Sequence, residues 1–404
     1  MTPLFRKFIG LHWFMIINML GLLVFGVTAI YSAGHLRSEE FSTAWNSQIN
    51  WIAIGLVGFF AASLIDYRWV RWGAVLMYLA GLAGLIALKF HAVEIYGERN
   101  WLRIGGFQVQ PSQPALAAGI LMMAVVMADL PRLHKMFRYH WVRLLVSGLV
   151  AAVPMALVIK EDQGSGMVWA PVLATIWLVG LIPFRYLISI TLVGVTLLPV
   201  VYFLGLQNHQ RVRIENILKV WSGEPIDTLG SGYDLHYVQM AIGSGGWSGK
   251  GFLANKVPGQ RSINRMGFIP DTAINDYIFP VVAEEQGFRG AALFISALAL
   301  LLLQAVLVAF AARDLLGRLI VVGVVAMFFM HIFWNIGMSL ALVPIAGIPI
   351  PLISYGGTFM VVTLFLLGMI QSVWVHRNIQ PVKKKAPEPE ETWKREAPRD
   401  PAFA

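Results

Sequence analysis

The chain alternates between long apolar runs and shorter polar connections. About ten of the runs approach the ~20 residues needed to cross a bilayer, which predicts membrane-spanning helices. Transmembrane β-strands would instead show short segments of alternating polarity, and the sequence has none. The pattern therefore predicts an all-α, polytopic integral membrane protein. The predicted spans are residues 11–33, 50–66, 70–89, 113–130, 142–159, 165–183, 186–206, 281–312, 317–342 and 356–376.

Composition and charge agree with this class. Of the 404 residues, 57% are hydrophobic and only 13% are charged, whereas soluble domains carry roughly a quarter charged residues. The net charge of +9 does not require a nucleic-acid partner, because Lys and Arg collect in the cytoplasmic loops of membrane proteins. With the N-terminus inside, most basic residues between spans fall on the cytoplasmic side. Both termini are therefore predicted to be cytoplasmic.

Two further features narrow the class of protein. The chain has no cysteine, which excludes disulfides, Cys-ligated zinc and thiol catalysis. The first apolar run, from residue 11 to residue 31, is too long for a signal-peptide core and lacks a small-residue cleavage site. We expect it to remain as the first membrane span.

Two connections on the outer side are unusually long, at residues 91–113 and 207–280. Structureless loops beyond ~12–15 residues are uncommon, so the second is expected to fold against the membrane surface. An amphipathic helix is predicted around residues 213–221, followed by a glycine-rich run at residues 241–252. Residues 1–378 are thus predicted to form one transmembrane domain.

The C-terminal segment, residues 379–404, is rich in proline and charge and is predicted to be a disordered cytoplasmic tail. Its Lys383–Lys385 either contact anionic lipid headgroups or simply complete the positive charge of the cytoplasmic side.

Acidic residues cluster where the long loop meets the next span. Asp271, Asp276, Glu284 and Glu285 all lie within residues 268–290. An ionised carboxylate is costly near hydrocarbon, so an acid at such a boundary often has a function. Asp276 is the candidate catalytic acid or base. The alternative is that these acids only mark the end of a loop.

Residues 335–358 are dense in proline and glycine at membrane depth. Pro344, Pro349 and Pro351 prevent one continuous helix. Broken backbone is tolerated at this depth only where it is buried in protein or lines a cavity. The segment, which contains Ser354, is interpreted as a cleft for a lipid-linked substrate or as a re-entrant turn without a ligand.

Several other groups are suited to contacting an anionic or sugar-bearing substrate. Basic side chains among glycines can hold a phosphate, although they equally suit a solvated loop facing lipid phosphates. Asp162, between two spans, is either a functional carboxylate or part of a hairpin turn. Trp101 is either a substrate contact or an interfacial anchor. The predicted substrate-binding residues are Asp162, Trp101, Arg99, Arg103, Arg211, Lys250, Glu284, Glu285 and Ser354.

Five ordered motifs together resemble the bacterial SEDS (FtsW/RodA/SpoVE) family, across the chain up to residue 378. The most specific are PIAGIPIPLISYGG at residues 344–357 and AIGSGGWSGKG at residues 241–251. NDYIFPVVAEEQG at residues 275–287 is a third. The remaining two are Trp101 through Ser112, and Asp162 with Gly164.

The resemblance implies a peptidoglycan glycosyltransferase of the bacterial inner membrane that polymerises lipid II for cell-wall elongation and cell shape. A class B penicillin-binding protein is the implied transpeptidase partner. Asp276 takes the position of the family's essential aspartate and is expected to act as a general base. The leaving diphosphate needs cationic help, from a divalent cation or from Arg99, Arg103, Arg211 and Lys250, which are chosen by charge alone. No metal ligands are assigned.

The sequence also departs from the family pattern. Gln113 and Leu116 replace a Glu and a Lys, and Ile274–Asn275 replaces a His-Thr pair. These changes indicate a divergent branch or a weakened activity. Alternative functions are a lipid II flippase or transporter and a non-catalytic activator of a transpeptidase. A division role is the alternative to elongation, although the short segment before the first span favours the RodA branch.

Overall fold

The computed structural model describes residues 3–35, 39–95, 98–159, 162–254 and 262–377. Within these ranges the chain forms fourteen α-helices and one small sheet. The helices are α1 (Pro3–Ile9), α2 (Trp13–Gly34), α3 (Glu39–Ser42), α4 (Ala44–Leu64), α5 (Val70–His91), α6 (Ser112–Leu133), α7 (His140–Val158), α8 (Gln163–Val179), α9 (Phe184–Val200), α10 (Asn208–Ser222), α11 (Tyr233–Ser244), α12 (Ile278–Ala311), α13 (Leu315–Ser339) and α14 (Gly357–His376). The predicted tail, 379–404, lies outside the described residues.

Ten helices account for the predicted membrane spans. Among the described residues, nine helices are long and apolar enough to cross a bilayer, and α8 is a shorter apolar helix of 17 residues. The prediction of about ten spans is therefore confirmed. The second span begins earlier than predicted, at Ala44, because Asn46, Ser47, Gln48 and Asn50 continue the helix although they lower its hydropathy.

The centre of the bundle is formed by α6, α13 and α14, whose apolar side chains are mostly buried. Helix α4 lies along α14, where Gly368 lets the backbones approach so closely that an added Cβ would overlap the carbonyl of Phe59. By contrast, α9 has no buried residue among those described. The fold thus has a dense core on one side and a loosely attached helix at its periphery.

Residues 93–95 and 98–109 form a three-stranded antiparallel sheet where the sequence predicted only a polar loop. The strands are β1 (Val93–Ile95), β2 (Glu98–Ile104) and β3 (Phe107–Val109), in that spatial order. Gly105 and Gly106 join β2 to β3 with φ of +56° and +87°. Positive φ at both residues is the geometry of a type I′ hairpin turn. The turn brings Phe107 onto Trp51 of α4, with ring centroids 5.5 Å apart.

The long connection between α9 and α12 is folded. It contains α10 and α11, and the amphipathic helix predicted around residues 213–221 lies within α10. This helix ends at Gly223, whose φ of +74° is typical of a glycine C-cap. The described part of the connection therefore has regular structure.

The proline-rich segment between α13 and α14 is not helical over residues 343–350. Ile348, Ile350, Leu352 and Ile353 are nevertheless almost fully buried. The Trp334 indole donates to the carbonyl of Pro344 at 3.0 Å. The segment therefore satisfies the expectation that broken backbone at this depth is buried in protein.

Candidate active site

A cavity of about 400 Å³ opens at the end of the bundle that carries residues 92–95, 98–111, 206–254, 262–277 and 340–356, here called the loop end. Its size falls within the ~300–1,000 Å³ typical of ligand pockets. Four segments form its walls: the first half of α4, the β2–β3 hairpin, the turn before α12 and the proline-rich segment with the start of α14. The lining includes Ser47, Asn50, Trp51, Ile54, Trp101, Phe107, Gln108, Gln110, Thr272, Asn275, Asp276, Pro349, Tyr355 and Phe359.

Asp276 lies on this cavity wall and is half-buried. It follows a 3₁₀ turn, Asp271–Ile274, and its backbone N–H donates to the carbonyl of Thr272 at 2.9 Å. The next residue, Tyr277, is buried and hydrogen-bonded to Asp234 of α11. Burial raises the pKa of the Asp234 carboxyl, and the nearby Arg213 opposes that shift. These contacts hold the Asp276 backbone between α11 and α12.

Asn335 of α13 connects Asp276 to the opposite wall. Its Nδ2 donates to the carbonyl of Asp276 at 2.8 Å and to the carbonyl of Ile348 at 2.7 Å. The Asn335 side chain is fully buried, so both bonds are shielded from water. A single amide therefore fixes the spacing between the candidate carboxylate and the proline-rich wall.

Further hydrogen bonds hold the proline-rich wall against α4. Gln48 donates to the carbonyl of Ser354 at 3.2 Å and accepts from the backbone of Gly356 at 3.3 Å. The hydroxyl of Ser354 accepts from the backbone of Ile350 at 2.9 Å, and its side chain is fully buried. Ser354, predicted to bind substrate, thus lies behind the wall and is not among the described residues that line the cavity.

Asp162 also lies behind the cavity and acts as the N-cap of α8. Its carboxylate accepts from the backbone of Ser165 at 2.8 Å, from the Ser112 hydroxyl at 3.1 Å and from the Gln110 amide at 3.0 Å. Gln110 itself lines the larger cavity. Burial raises the pKa of Asp162, and the three hydrogen-bond donors oppose that shift. Gln110 thus connects Asp162 to the larger cavity.

Asp162 borders a second, smaller cavity of about 130 Å³, together with Lys89, Asn100 and Ser112. Leu85, Leu88, Leu157 and Val158 form its apolar side. This cavity lies where α5, α6 and α7 meet.

Lys250 and Glu284 form a buried ion pair at 2.8 Å. The fully buried Glu284 also accepts from the Ser262 hydroxyl at 3.0 Å and from the backbones of Ile263 and Asn264, at 2.6 and 3.2 Å. Glu285 accepts a short hydrogen bond from Ser32 of α2. These contacts hold the glycine-rich run against the start of α12. None of these residues is among the described residues that line the larger cavity.

Of the remaining residues predicted to bind substrate, some lie at the larger cavity and others do not. Trp101 lines the cavity, and Arg103, two residues further along β2, is exposed. Arg211 donates to the carbonyl of Phe203 at 2.6 Å, away from the lining. The side chain of Arg99 lies outside the described part of the chain. No described lining residue is Lys or Arg, and the described residues contain no cluster of three His, Asp or Glu side chains able to hold a metal.

The sequence analysis did not identify several residues that position the site. Asn335, Gln48 and Trp51 were not singled out. Gln48 and Asn335 are polar residues inside or beside apolar runs, and this position in the sequence could have indicated a structural or functional role. Among the departures from the family pattern, Gln113 donates to the Ser165 hydroxyl at 3.0 Å and Leu116 is fully buried in the core. A neutral pair is thus accommodated where the family pattern has charges.

The fold and the cavity define a class: a polytopic helical membrane protein with a carboxylate-bearing cavity at the loop end of its bundle. The chain belongs to the FtsW/RodA/SpoVE family of cell cycle proteins, whose family model matches residues 11–379. The family membership predicted from the five motifs is therefore confirmed.

Similar proteins with assigned names cover nearly the whole chain. The peptidoglycan glycosyltransferase MrdB of Escherichia coli (strain K12) is 30% identical over 369 residues, covering 90% of this chain and 94% of that protein. A probable peptidoglycan glycosyltransferase FtsW of Geobacter metallireducens is also 30% identical, over 361 residues, covering 87% and 91%. Stage V sporulation protein E of Bacillus subtilis is 28% identical over 368 residues, covering 89% and 95%. The first two carry the enzyme class predicted from the sequence.

Solved structures share the fold. A chain from a structure described as showing the coordination of polymerization and crosslinking by a peptidoglycan synthase complex superposes with a TM-score of 0.75 at 23% identity. The match covers 92% of this chain and 99% of that chain. The rod shape determining protein RodA of Thermus thermophilus gives a TM-score of 0.65 at 22% identity, covering 92% and 98%. The predicted all-helical, SEDS-like fold is thus confirmed.

Proposed function

We propose that this chain is a peptidoglycan glycosyltransferase that polymerises lipid II into glycan strands, with Asp276 as the general base. The observation that carries the proposal is the position of Asp276 on the wall of a cavity that three of the family-like motifs help to line. In the proposed reaction Asp276 takes the proton from an acceptor sugar hydroxyl. The hydroxyl oxygen attacks the anomeric carbon of the donor sugar with inversion. The bond from that carbon to the lipid diphosphate breaks, and the diphosphate leaves as an anion.

The polarity of the cavity suits a lipid-linked sugar. Ser47, Asn50, Trp51 and Ile54 lie on one face of α4, at the spacing i, i+3, i+4 and i+7. At 1.5 Å per residue, the face spans about 10 Å from its polar to its apolar end. Ile54 is 49% exposed, and Val57 beyond it is 72% exposed. The polar end fits a sugar headgroup, and the apolar end continues toward lipid.

The leaving diphosphate needs a cationic group, and most of the basic candidates are already engaged elsewhere. Lys250 is paired with Glu284, and Arg211 is bound to a backbone carbonyl. Arg103 is exposed and shares one face of β2 with Trp101, since alternate residues of a strand point the same way. Arg103 is therefore the preferred protein group among the described candidates, and a divalent cation is the alternative.

The cellular role is also a proposal. Relatives named MrdB and FtsW are equally identical to this chain, at 30%, so similarity does not separate elongation from division. We propose elongation, with a class B penicillin-binding protein as partner. The name of a superposed structure, which refers to a peptidoglycan synthase complex, supports such a partnership. Depletion is expected to give rounded cells, whereas filamentous cells would indicate a division role.

We further propose that the protein lies in the bacterial inner membrane with the loop end outside and both termini cytoplasmic. Arg71, Arg132, Arg138 and Arg185 support this orientation, because all four lie at the end of the bundle opposite the loop end. Positive charge is typical of the cytoplasmic side.

Reconstitution tests the proposal. Purified protein and partner transpeptidase in proteoliposomes are supplied with lipid II, and glycan strands are separated by size. Strand growth supports the glycosyltransferase. Transfer of lipid II across the membrane without strand growth would favour the flippase, and stimulation of crosslinking alone would favour a non-catalytic activator.

A further inference from the structure

One wall of the larger cavity is a rigid aromatic surface. A methyl group added at Gly357 would overlap the Trp51 ring, so this ring lies directly against the bare backbone at the start of α14. Phe107, from the tip of the β2–β3 hairpin, meets Trp51 edge to face, at 5.5 Å and 68°. Contacts from α14 and from the hairpin therefore restrict the indole, although it belongs to α4. Trp51 remains half-buried and lines the cavity.

Two exposed amides flank the aromatic surface. Asn50 precedes Trp51, Gln108 follows Phe107, and both line the cavity. Each amide offers a carbonyl acceptor and two N–H donors. A pyranose ring presents C–H groups on its face, which are attracted to the negative face of an indole. Its hydroxyl and acetamido groups lie at the edge of the ring, where amide side chains can pair with them.

The common alternative for a tryptophan near a membrane surface is a headgroup anchor. That role requires an indole that faces lipid. Trp51 instead faces a cavity whose other lining residues include Asp276, Gln110 and Thr272. On the same helix, the large apolar side chains most open to the surroundings are Ile54 and Val57. The position of Trp51 therefore fits a ligand contact better than an anchor.

We infer that Trp51, with Asn50 and Gln108, forms a subsite that binds an N-acetylated hexosamine ring, the indole stacking on the sugar face. The inference deepens the proposed function, on which it rests for the identity of the ligand. The subsite shares a cavity with Asp276, so a sugar bound there is placed for reaction. Trp51 is thus a substrate-binding residue, and the acetamido group is the feature that the two amides recognise.

Binding of a soluble sugar tests this inference without turnover. The probe is the disaccharide of N-acetylglucosamine and N-acetylmuramic acid, which lacks the diphosphate leaving group. Its affinity for the full-length protein in detergent is measured by saturation-transfer NMR titration. Trp51→Leu is expected to weaken binding about tenfold, the equivalent of ~1.4 kcal/mol. Trp51→Phe keeps an aromatic face, so it is expected to lose less affinity than Trp51→Leu. We expect it to bind the disaccharide within about threefold of the wild type.

Trp45→Leu is the matched control. Trp45 lies on the same helix, is half-buried and packs edge to face on Tyr31, but it is not among the described residues lining the cavity. It is expected to bind the disaccharide as the wild type does. Unchanged binding in Trp51→Leu, or an equal loss in Trp45→Leu, overturns the inference. If disaccharide binding follows the predicted order but reconstituted protein makes no glycan, the subsite stands and the proposed polymerase activity fails.

Discussion

The side-chain amide of Asn335 donates to the backbone carbonyl of Asp276 at 2.8 Å, linking α13 to the turn that precedes α12. The same amide donates to the carbonyl of Ile348 at 2.7 Å. One buried side chain therefore sets the distance between two walls of the cavity. Asp276 depends on this contact for its placement, because its own segment is a single 3₁₀ turn.

Asn335→Ala is expected to lower the rate of glycan polymerisation roughly 100-fold, because a misplacement of about 1 Å is enough for such a loss. It also leaves two buried carbonyls without this donor, at a cost of about 1–3 kcal/mol each. Polymerisation rate and thermal unfolding in detergent measure the two effects. Ser339→Ala, which removes only a hydrogen bond to the Asn335 carbonyl on the same helix, serves as the control. Wild-type polymerisation by Asn335→Ala contradicts the positioning role.

The adjacent glycines of the YGG sequence are predicted to differ in their tolerance of alanine. At Gly357 a methyl group overlaps the Trp51 ring, so Gly357→Ala must displace the aromatic wall. At Gly356 the nearest atom is Cβ of Phe359 at 3.5 Å, an ordinary contact, and a φ of 167° is accessible to any residue. We expect Gly357→Ala to lower polymerisation about tenfold, since one aromatic contact is worth on the order of 1 kcal/mol. Equal rates in the two variants would argue against a functional aromatic wall.

The Lys250–Glu284 pair is predicted to stabilise the loop end. Lys250→Met leaves a fully buried carboxylate without its cation, which costs about 3–5 kcal/mol for buried pairs. The double variant Lys250→Met/Glu284→Gln removes both charges and is expected to be less destabilised than Lys250→Met alone. Thermal unfolding and proteolysis of the glycine-rich run report the change. A double variant as unstable as the sum of the two single variants shows that the charges do not interact.

The sequence predicts the membrane spans well because a bilayer demands long apolar helices. It fails at the start of α4, where Ser47 and Asn50 lower the hydropathy of a helix that continues through them to line the cavity. It also misses the β2–β3 hairpin, because β3 has only three residues and so leaves almost no periodic signal. The type I′ turn at Gly105–Gly106 was the detectable part of that hairpin.

Within the site, the sequence identifies residue types but not their partners. Lys250 and Glu284 were both selected for charge, yet they lie 34 positions apart, and only the tertiary fold brings them together as a pair. Asp276 and Trp101 line the cavity. Asp162 and Ser354 instead hold backbone behind it. The role of Asn335 could not be identified from the sequence, because it depends on hydrogen bonds to two carbonyls in other segments of the chain.

Asp276→Asn removes the negative charge of the proposed general base while keeping the shape of its side chain. Polymerisation of lipid II is measured with purified protein and its transpeptidase partner. Asp227→Asn is the control, because Asp227 is exposed in the same long connection and bonds only to nearby backbone. The general-base role predicts that the polymerisation rate falls about 10²–10⁴-fold in Asp276→Asn and is unchanged in Asp227→Asn. Glycan strands formed by Asp276→Asn at the wild-type rate would contradict it.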